Sequence, residues 1–315
     1  MNPKNDKITV VGAGTIGSLS AYLLMMRKSA SKVTLVNRNS KKALVKAFDM
    51  SHCLPQIGGT NISGGSFDES AGSQVIIITV GTLPKKDGRR TDVLQNNVDI
   101  YKRLIPKLVE LSPEAVILTV TNPVDIMALA ASKYSGFPSN RILGSGTFLD
   151  SLRFRSFIAE AIGVSPKHID AMILGEHGNS MVPIWSQAKI NGIELESYVK
   201  DMGIKWSQEI KDDIMDKTRR AGWKIREGNE HSSYAIAFSA VLISEAILHE
   251  SKDYLPTSFE QSDTYGAKDL FMSLPIQLGR NGYRDIAKLD YTYQEEKLLE
   301  KSVSILNQNI NKIKF

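Results

Sequence analysis

The chain has 315 residues, 42% of them apolar and 23% charged, with a formal net charge of +5. That length buries a large core and favours two domains, and the composition is that of a soluble globular protein. The mild positive charge comes with no basic block interleaved with aromatics, which argues against nucleic-acid binding. No apolar run approaches a membrane span, and the polar segment Met1-Asn2-Pro3-Lys4-Asn5-Asp6-Lys7 lacks a signal-peptide core. The single cysteine, Cys53, excludes an intrachain disulfide and fits a reducing cytoplasm.

In chain order, residues 8–11 read as a strand and 15–27 as a helix, followed by a strand at 33–36 and a helix at 40–52. Residues 75–80 form a continuous apolar run, as expected of a strand buried on both faces. A helix over 92–111 carries Val93, Leu94, Val98, Tyr101, Ile105 and Leu108 at helical spacing, and 116–120 is another buried strand. Alternating strands and helices predict an α/β fold, a doubly wound parallel sheet of the Rossmann dinucleotide-binding type. An α+β substrate domain follows, with the boundary near residue 147 (1–147 and 148–315). There a helix over 149–162 leads to a strand and then to a hairpin turning at Asn191-Gly192. A long amphipathic helix presents Trp206, Ile210, Ile214, Ala221 and Ile225 on one side, and a more apolar helix spans 232–247. Strands near 255–259 and 270–278 precede a final helix.

Gly12-Ala13-Gly14-Thr15-Ile16-Gly17 lies between the first strand and the first helix. Glycines there permit a tight turn and close approach of a pyrophosphate, whose charge the helix N-terminus receives. The second strand of such a fold normally ends in a carboxylate that bonds the adenosine ribose. Here Asn37 stands in that place, followed by Arg38. Loss of the carboxylate removes repulsion toward a 2′-phosphate and Arg38 can pair with it, so the cofactor is NAD or NADP, with NADP use suspected.

Hydride chemistry at a carbonyl needs, besides a dinucleotide, a proton source and a group that polarises the carbonyl. Of the five histidines only His177, in Leu174-Gly175-Glu176-His177-Gly178-Asn179-Ser180, has a setting suited to the proton. Asp150 is its candidate partner, since a carboxylate on one imidazole nitrogen fixes the tautomer and favours the imidazolium. Arg153, three residues on, projects from a similar helix face and suits a substrate carboxylate. Asn122, just past a strand's carboxyl end, can fix the substrate oxygen. Residues 82–92, including Lys85-Lys86-Asp87-Gly88-Arg89-Arg90, read as a cation-rich lid over an anionic substrate.

These segments, with Thr121-Asn122-Pro123-Val124-Asp125 and Leu149-Asp150-Ser151-Leu152-Arg153-Phe154-Arg155, make the chain resemble the lactate/malate dehydrogenase family over nearly its whole length. The resemblance implies His177 as proton donor and acceptor, Asp150 as its partner, Arg153 as carboxylate anchor and Arg90 as the lid's catalytic arginine. It implies cofactor contacts at Gly81, Asn97 and Val120, a small hydroxyl near the substrate at Ser232, and a homodimer or homotetramer.

Four departures stand out: Asn37; a lid one residue short, which makes Arg89 a substitute for Arg90; Asn179 where Asp is commoner; and Lys85 where the family carries Gln for pyruvate or Arg for oxaloacetate. A cation at 85 can pair with a second carboxylate, and it would be costly unpaired under a closed lid. The expected substrate is therefore malate/oxaloacetate, with lactate or a longer-chain 2-hydroxy acid as the alternative. Some bacterial lactate dehydrogenases are activated by a sugar bisphosphate through an arginine and a histidine. Arg155 is retained, but Asp170 replaces the histidine, so no such activation is expected. From other classes, a metal- and NAD-dependent glycosidase lacks support because no metal-ligand spacing appears. A non-catalytic dinucleotide-binding protein would require the altered lid to abolish turnover.

Overall fold

A computed structural model describes residues 6–82, 90–228 and 232–315, with residues 90–92 described by their backbone alone. The first half alternates as expected: β1 (Lys7–Val11), α1 (Thr15–Arg27), β2 (Lys32–Val36), α2 (Ser40–Ser51), α3 (Leu54–Ile57), β3 (Asn61–Gly65), β4 (Val75–Ile78), α4 (Arg90–Leu111), β5 (Val116–Thr119), α5 (Val124–Ser135) and β6 (Ile142–Gly144). The second half holds α6 (Phe148–Ile162), β7 (Ile169–Leu174), β8 (Val182–Ile190), β9 (Ile193–Glu194), α7 (Leu195–Asp201), α8 (Gln208–Glu227), α9 (Tyr234–His249), β10 (Tyr254–Thr264), β11 (Ala267–Gly279), β12 (Gly282–Ile286) and α10 (Tyr293–Ile310).

Strands β3, β2, β1, β4, β5 and β6 lie side by side in that order, all parallel. This is the doubly wound order whose reversal between β1 and β4 opens a crevice at the strands' carboxyl ends. Alternation within the strands feeds two cores. Ile8, Val10, Ile77 and Leu118 pack with α1, α9 and α10, whereas Val11, Ile76, Ile78 and Ile117 pack with α4 and α5. Each fully buried branched side chain contributes about 1.5–3 kcal/mol, which explains why these strands read as unbroken apolar runs. A third core joins Phe154 and Ile158 of α6 to Ile173, Ile190 and Ile214.

Strands β10, β11 and β12 of the second half extend the parallel sheet antiparallel at its β6 edge, giving a sheet of nine strands among the described residues. The junction pairs Ser258 with Gly144, where a Cβ on the glycine would stand 3.0 Å from the Ser258 Cβ. Lack of a side chain at 144 therefore lets the strands meet. The Asn191-Gly192 turn forms as expected, with φ of 51° and 83°, the paired left-handed conformation of a tight hairpin. The expected stripe on α8 is only partly covered: Ile214 is buried, Ile225 is exposed, and Trp206 precedes the helix. Among the described residues no helix is long and apolar enough to cross a membrane.

Candidate active site

The glycine loop after β1 divides its labour. Gly12 has φ +113°, and a Cβ there would lie 2.7 Å from Thr79 Oγ1. A Cβ on Gly17 would fall 1.8 Å from the Gly12 carbonyl oxygen, so both glycines are required for α1 to close against the loop. Gly14 is different. It is exposed, its Cβ would meet nothing within 4 Å, and it heads α1 with no side chain capping the helix. A helix start with no side-chain cap and open space beside its first glycine fits a pyrophosphate. Gly14→Ala is expected to fold as the parent does yet bind dinucleotide more weakly. Gly17→Ala should lose both stability and binding. Thermal melts with and without NADH separate the two, and equal losses of stability would contradict the division.

Asn37 laces this loop: its Oδ1 accepts from the Ala13 N–H at 3.3 Å and its Nδ2 donates to the Asn39 carbonyl at 3.2 Å. Arg38 lies exposed beside it. Val120 follows β5 and is buried. Gly81 packs against Thr121 and Asn97; a Cβ there would come within 2.7 Å of the threonine methyl. Asn97 is buried, and its carboxamide is occupied on both sides. Its Oδ1 accepts from the Thr82 N–H at 2.7 Å and its Nδ2 donates to the Asn122 carbonyl at 3.3 Å. It therefore ties Thr82 to the segment that follows β5.

Asp150 sits in the first turn of α6, fully buried, where the helix N-terminus favours a negative charge. His177 arrives from the loop after β7, and its Nδ1 lies 2.5 Å from Asp150 Oδ2. A carboxylate can only accept, so Nδ1 carries the proton of that bond and Nε2 is left for substrate. Arg153 Nη1 donates to the other Asp150 oxygen at 3.0 Å, and its Nη2 to Ser232 Oγ at 3.3 Å. Four sequence-predicted residues thus form one connected chain. Burial alone would lower the imidazole pKa; the charge and hydrogen bond of Asp150, with the charge of Asp125, outweigh it and raise the value above that of a free histidine. Burial would likewise raise the Asp150 pKa, but His177 and then Arg153 hold it below the usual carboxylate range. Both shifts favour a charged imidazole beside an ionised carboxylate.

The loop carrying His177 is pinned from several sides. Gly175 exchanges backbone hydrogen bonds with Ser273, the Glu176 N–H donates to Ser302 Oγ at 2.8 Å, and Ser180 donates its hydroxyl to the Glu176 carboxylate. One site residue escaped the sequence reading. Asp125, on the first turn of α5, accepts from the His177 backbone N–H at 2.9 Å through Oδ2. The only signal was its place at the end of the Asn122-Pro123-Val124-Asp125 run. Asn122 itself is exposed at the mouth of the crevice. Lys85 and Arg89 lie outside the described residues; Arg90 is the first residue of α4, its side chain outside the description. Asn179, two residues beyond His177, lines a hollow of about 510 Å³ with Asp216, Arg219, Arg220, Trp223 and Glu227 of α8. Arg155 bonds the Ala171 carbonyl at 2.8 Å and Asp170 at 3.1 Å. No group of metal-ligating side chains occurs among the described residues.

Comparison with known proteins bears on this architecture along its whole length. Residues 6–144 match the lactate/malate dehydrogenase NAD binding domain, and residues 147–315 match the lactate/malate dehydrogenase alpha/beta C-terminal domain. The chain is 35% identical to an L-lactate dehydrogenase of Acetivibrio thermocellus, covering 96% of each protein. It is 34% identical to L-lactate dehydrogenase 1 of Clostridium acetobutylicum, covering 98% of this chain and 99% of that protein. Among solved structures, the minor L-lactate dehydrogenase from Enterococcus mundtii in a ligands-bound form superposes with a TM-score of 0.94 at 28% identity, covering 99% of each chain. With both family domains matched and full-length relatives above 30% identity, the chain belongs to the lactate/malate dehydrogenase family, as an NAD-dependent oxidoreductase of a small 2-hydroxy or 2-keto acid.

Proposed function

We propose that this protein interconverts L-lactate and pyruvate, or a longer-chain homologue of that pair, with NAD. The expectation of malate rested on Lys85, which lies outside the described residues. The full-length relatives carry the name L-lactate dehydrogenase and favour the alternative substrate over oxaloacetate. The observation that carries the reaction is the chain from His177 through Asp150 and Arg153 to Ser232.

Gly12, Gly14, Thr15, Ile16 and Gly17 would cradle the cofactor's pyrophosphate, with Asn37, Arg38, Gly81, Asn97 and Val120 along the same crevice. Bound NADH supplies the hydride. Arg153 orients the 2-keto acid through its carboxylate with charge-assisted hydrogen bonds, Asn122 faces the carbonyl, and His177 Nε2 delivers the proton to the carbonyl oxygen. Asp150 stabilises the imidazolium before transfer and orients the ring throughout. Arg90, with Arg89 as its substitute, would bring positive charge to the developing alkoxide as the lid closes.

For the cofactor, a neutral Asn37 beside the exposed Arg38 supports use of NADPH as well as NADH. An exposed ion pair contributes up to about 1 kcal/mol, or about fivefold in KM. Arg38→Ala is therefore expected to raise the KM for NADPH by that factor and leave NADH unchanged. Exposed apolar side chains on α2 (Leu44, Val45, Phe48) and α9 (Tyr234, Phe238) support a homo-oligomer. The Arg155–Asp170 pair supports the absence of sugar-bisphosphate activation.

Initial rates of pyruvate, 2-ketoisocaproate and oxaloacetate reduction, each with NADH and NADPH, test the proposal. A specificity constant for a monocarboxylate at least about tenfold above that for oxaloacetate, about 1.4 kcal/mol, is the expected outcome. The reverse ratio returns the substrate to malate and assigns the distal carboxylate to Lys85.

A further inference from the structure

Asp125 is only 4% exposed. One carboxylate oxygen holds the His177 peptide N–H at 2.9 Å. The other, Oδ1, is buried beside the equally buried hydroxyl of Ser258 on β10, which favours the ionised carboxyl. A buried carboxylate is costly to keep; the first turn of α5 favours its charge as it does that of Asp150 on α6, but the helix does not account for the bond from Oδ2 to another segment. What it does touch is the residue that carries the proton.

We propose that Asp125 is a positioning residue for the reaction. It fixes the peptide of His177 and, as a second carboxylate beside Asp150, stabilises the charged imidazole. The inference rests on the reading of His177 as the proton donor. The groups that face the pair come from each neighbouring element: Asp150 and Arg153 from α6, Glu176 from the loop after β7, and Ser258 from β10. Asp150 bonds the ring directly, whereas Asp125 acts on it through its charge and through the backbone. Burial pushes the Asp125 carboxyl up to about 6, so it is mostly ionised at neutral pH and takes up a proton in mildly acid solution. When it does, His177 loses part of its support and releases its own proton more readily.

Asp125→Asn isolates the charge from the geometry. The amide oxygen still accepts from the His177 N–H, and the amide nitrogen faces Ser258 Oγ, which can accept. A purely structural role would survive this exchange. The proposal instead expects the imidazole inflection of His177, followed by ¹⁵N NMR in the protein without substrate, to fall by about one pH unit. The pH limit of keto-acid reduction should fall by a similar amount, with the KM for NADH unchanged. An imidazole inflection that does not move overturns the proposal.

Should the variant fail to fold, the parent protein provides the test. Its His177 ring shifts are expected to show a second, smaller inflection near the pH at which Asp125 takes up its proton, and a single inflection overturns the proposal. Both readouts are independent of substrate. A moving imidazole in a protein that reduces no 2-keto acid would refute the catalytic reading and keep only the support of the imidazole by Asp125; turnover with an unmoved imidazole would keep the catalytic reading and refute the role of Asp125.

Discussion

His177→Asn is expected to lower kcat for keto-acid reduction by about 10²–10⁴-fold, the usual contribution of a positioned general acid, while leaving the affinity for NADH unchanged. The dinucleotide loop lies on β1 and α1, whereas His177 is held by β7, α5, α6 and α10, so the cofactor site does not depend on the imidazole. Asp150→Asn should be nearly as damaging by a different route. The neutral amide no longer counters the imidazole's burial, and it can present its N–H₂ to Nδ1, which moves the ring proton to the wrong nitrogen. Stopped-flow rates with fluorescence titration of NADH separate chemistry from binding. Loss of NADH affinity in parallel with kcat would place His177 in the cofactor site instead.

The same pair sets a pH dependence of stability. The imidazole value is raised on folding, so its contribution is fully present below the unfolded histidine value near 6.5 and is lost as pH rises through the folded one. The Asp150 value is lowered, so its contribution is present above the unfolded carboxylate value and is lost as pH falls through the lowered one. Stability from this pair therefore peaks between the two.

Arg153→Lys is expected to reduce kcat/KM for the keto acid by about 10–10⁴-fold, mostly in KM. A bidentate pair with a carboxylate loses one or both charge-assisted hydrogen bonds, each worth about 1.5–3 kcal/mol. Lysine cannot reach Asp150 and Ser232 together while still presenting a fork to substrate. Arg153→Leu should add a stability cost, because Asp150 is buried and would keep only His177 as an ionic partner. Steady-state kinetics with pyruvate and with a keto compound lacking the carboxylate check the assignment. If both substrates lost equally, Arg153 would be supporting Asp150 and not reading the carboxylate.

The dinucleotide half was legible because its signals are local. Strands buried on both faces are unbroken apolar runs, and α1 begins one residue after its last exposed glycine, so the bounds expected for α1 coincide with those observed and those of α2 differ by one residue. Strand β3, Asn61-Ile62-Ser63-Gly64-Gly65, was not legible. Its propensity is poor, and its place is set by pairing with β2 in the register Val33–Ile62. The joining of β10–β12 to the parallel sheet was hidden because it is set by pairing between residues more than a hundred positions apart, such as Gly144 and Ser258. At the site, His177, Asp150 and Arg153 could be named from motif and chemistry. Asp125 could not, because its partner is a peptide N–H brought to it only by the fold. Asn179 gained a setting only when α8 was seen to wall the hollow beside it.

The central claim is that a protonated His177, sustained by Asp150, delivers the proton as a 2-keto acid is reduced. The most direct test is kcat/KM for pyruvate reduction by NADH as a function of pH. The account predicts a plateau that falls by a factor of ten per pH unit above an inflection higher than the 6.5 of an ordinary histidine, and the loss of that inflection in Asp150→Asn. A profile that is flat through this range, or an inflection unchanged in the variant, would contradict it.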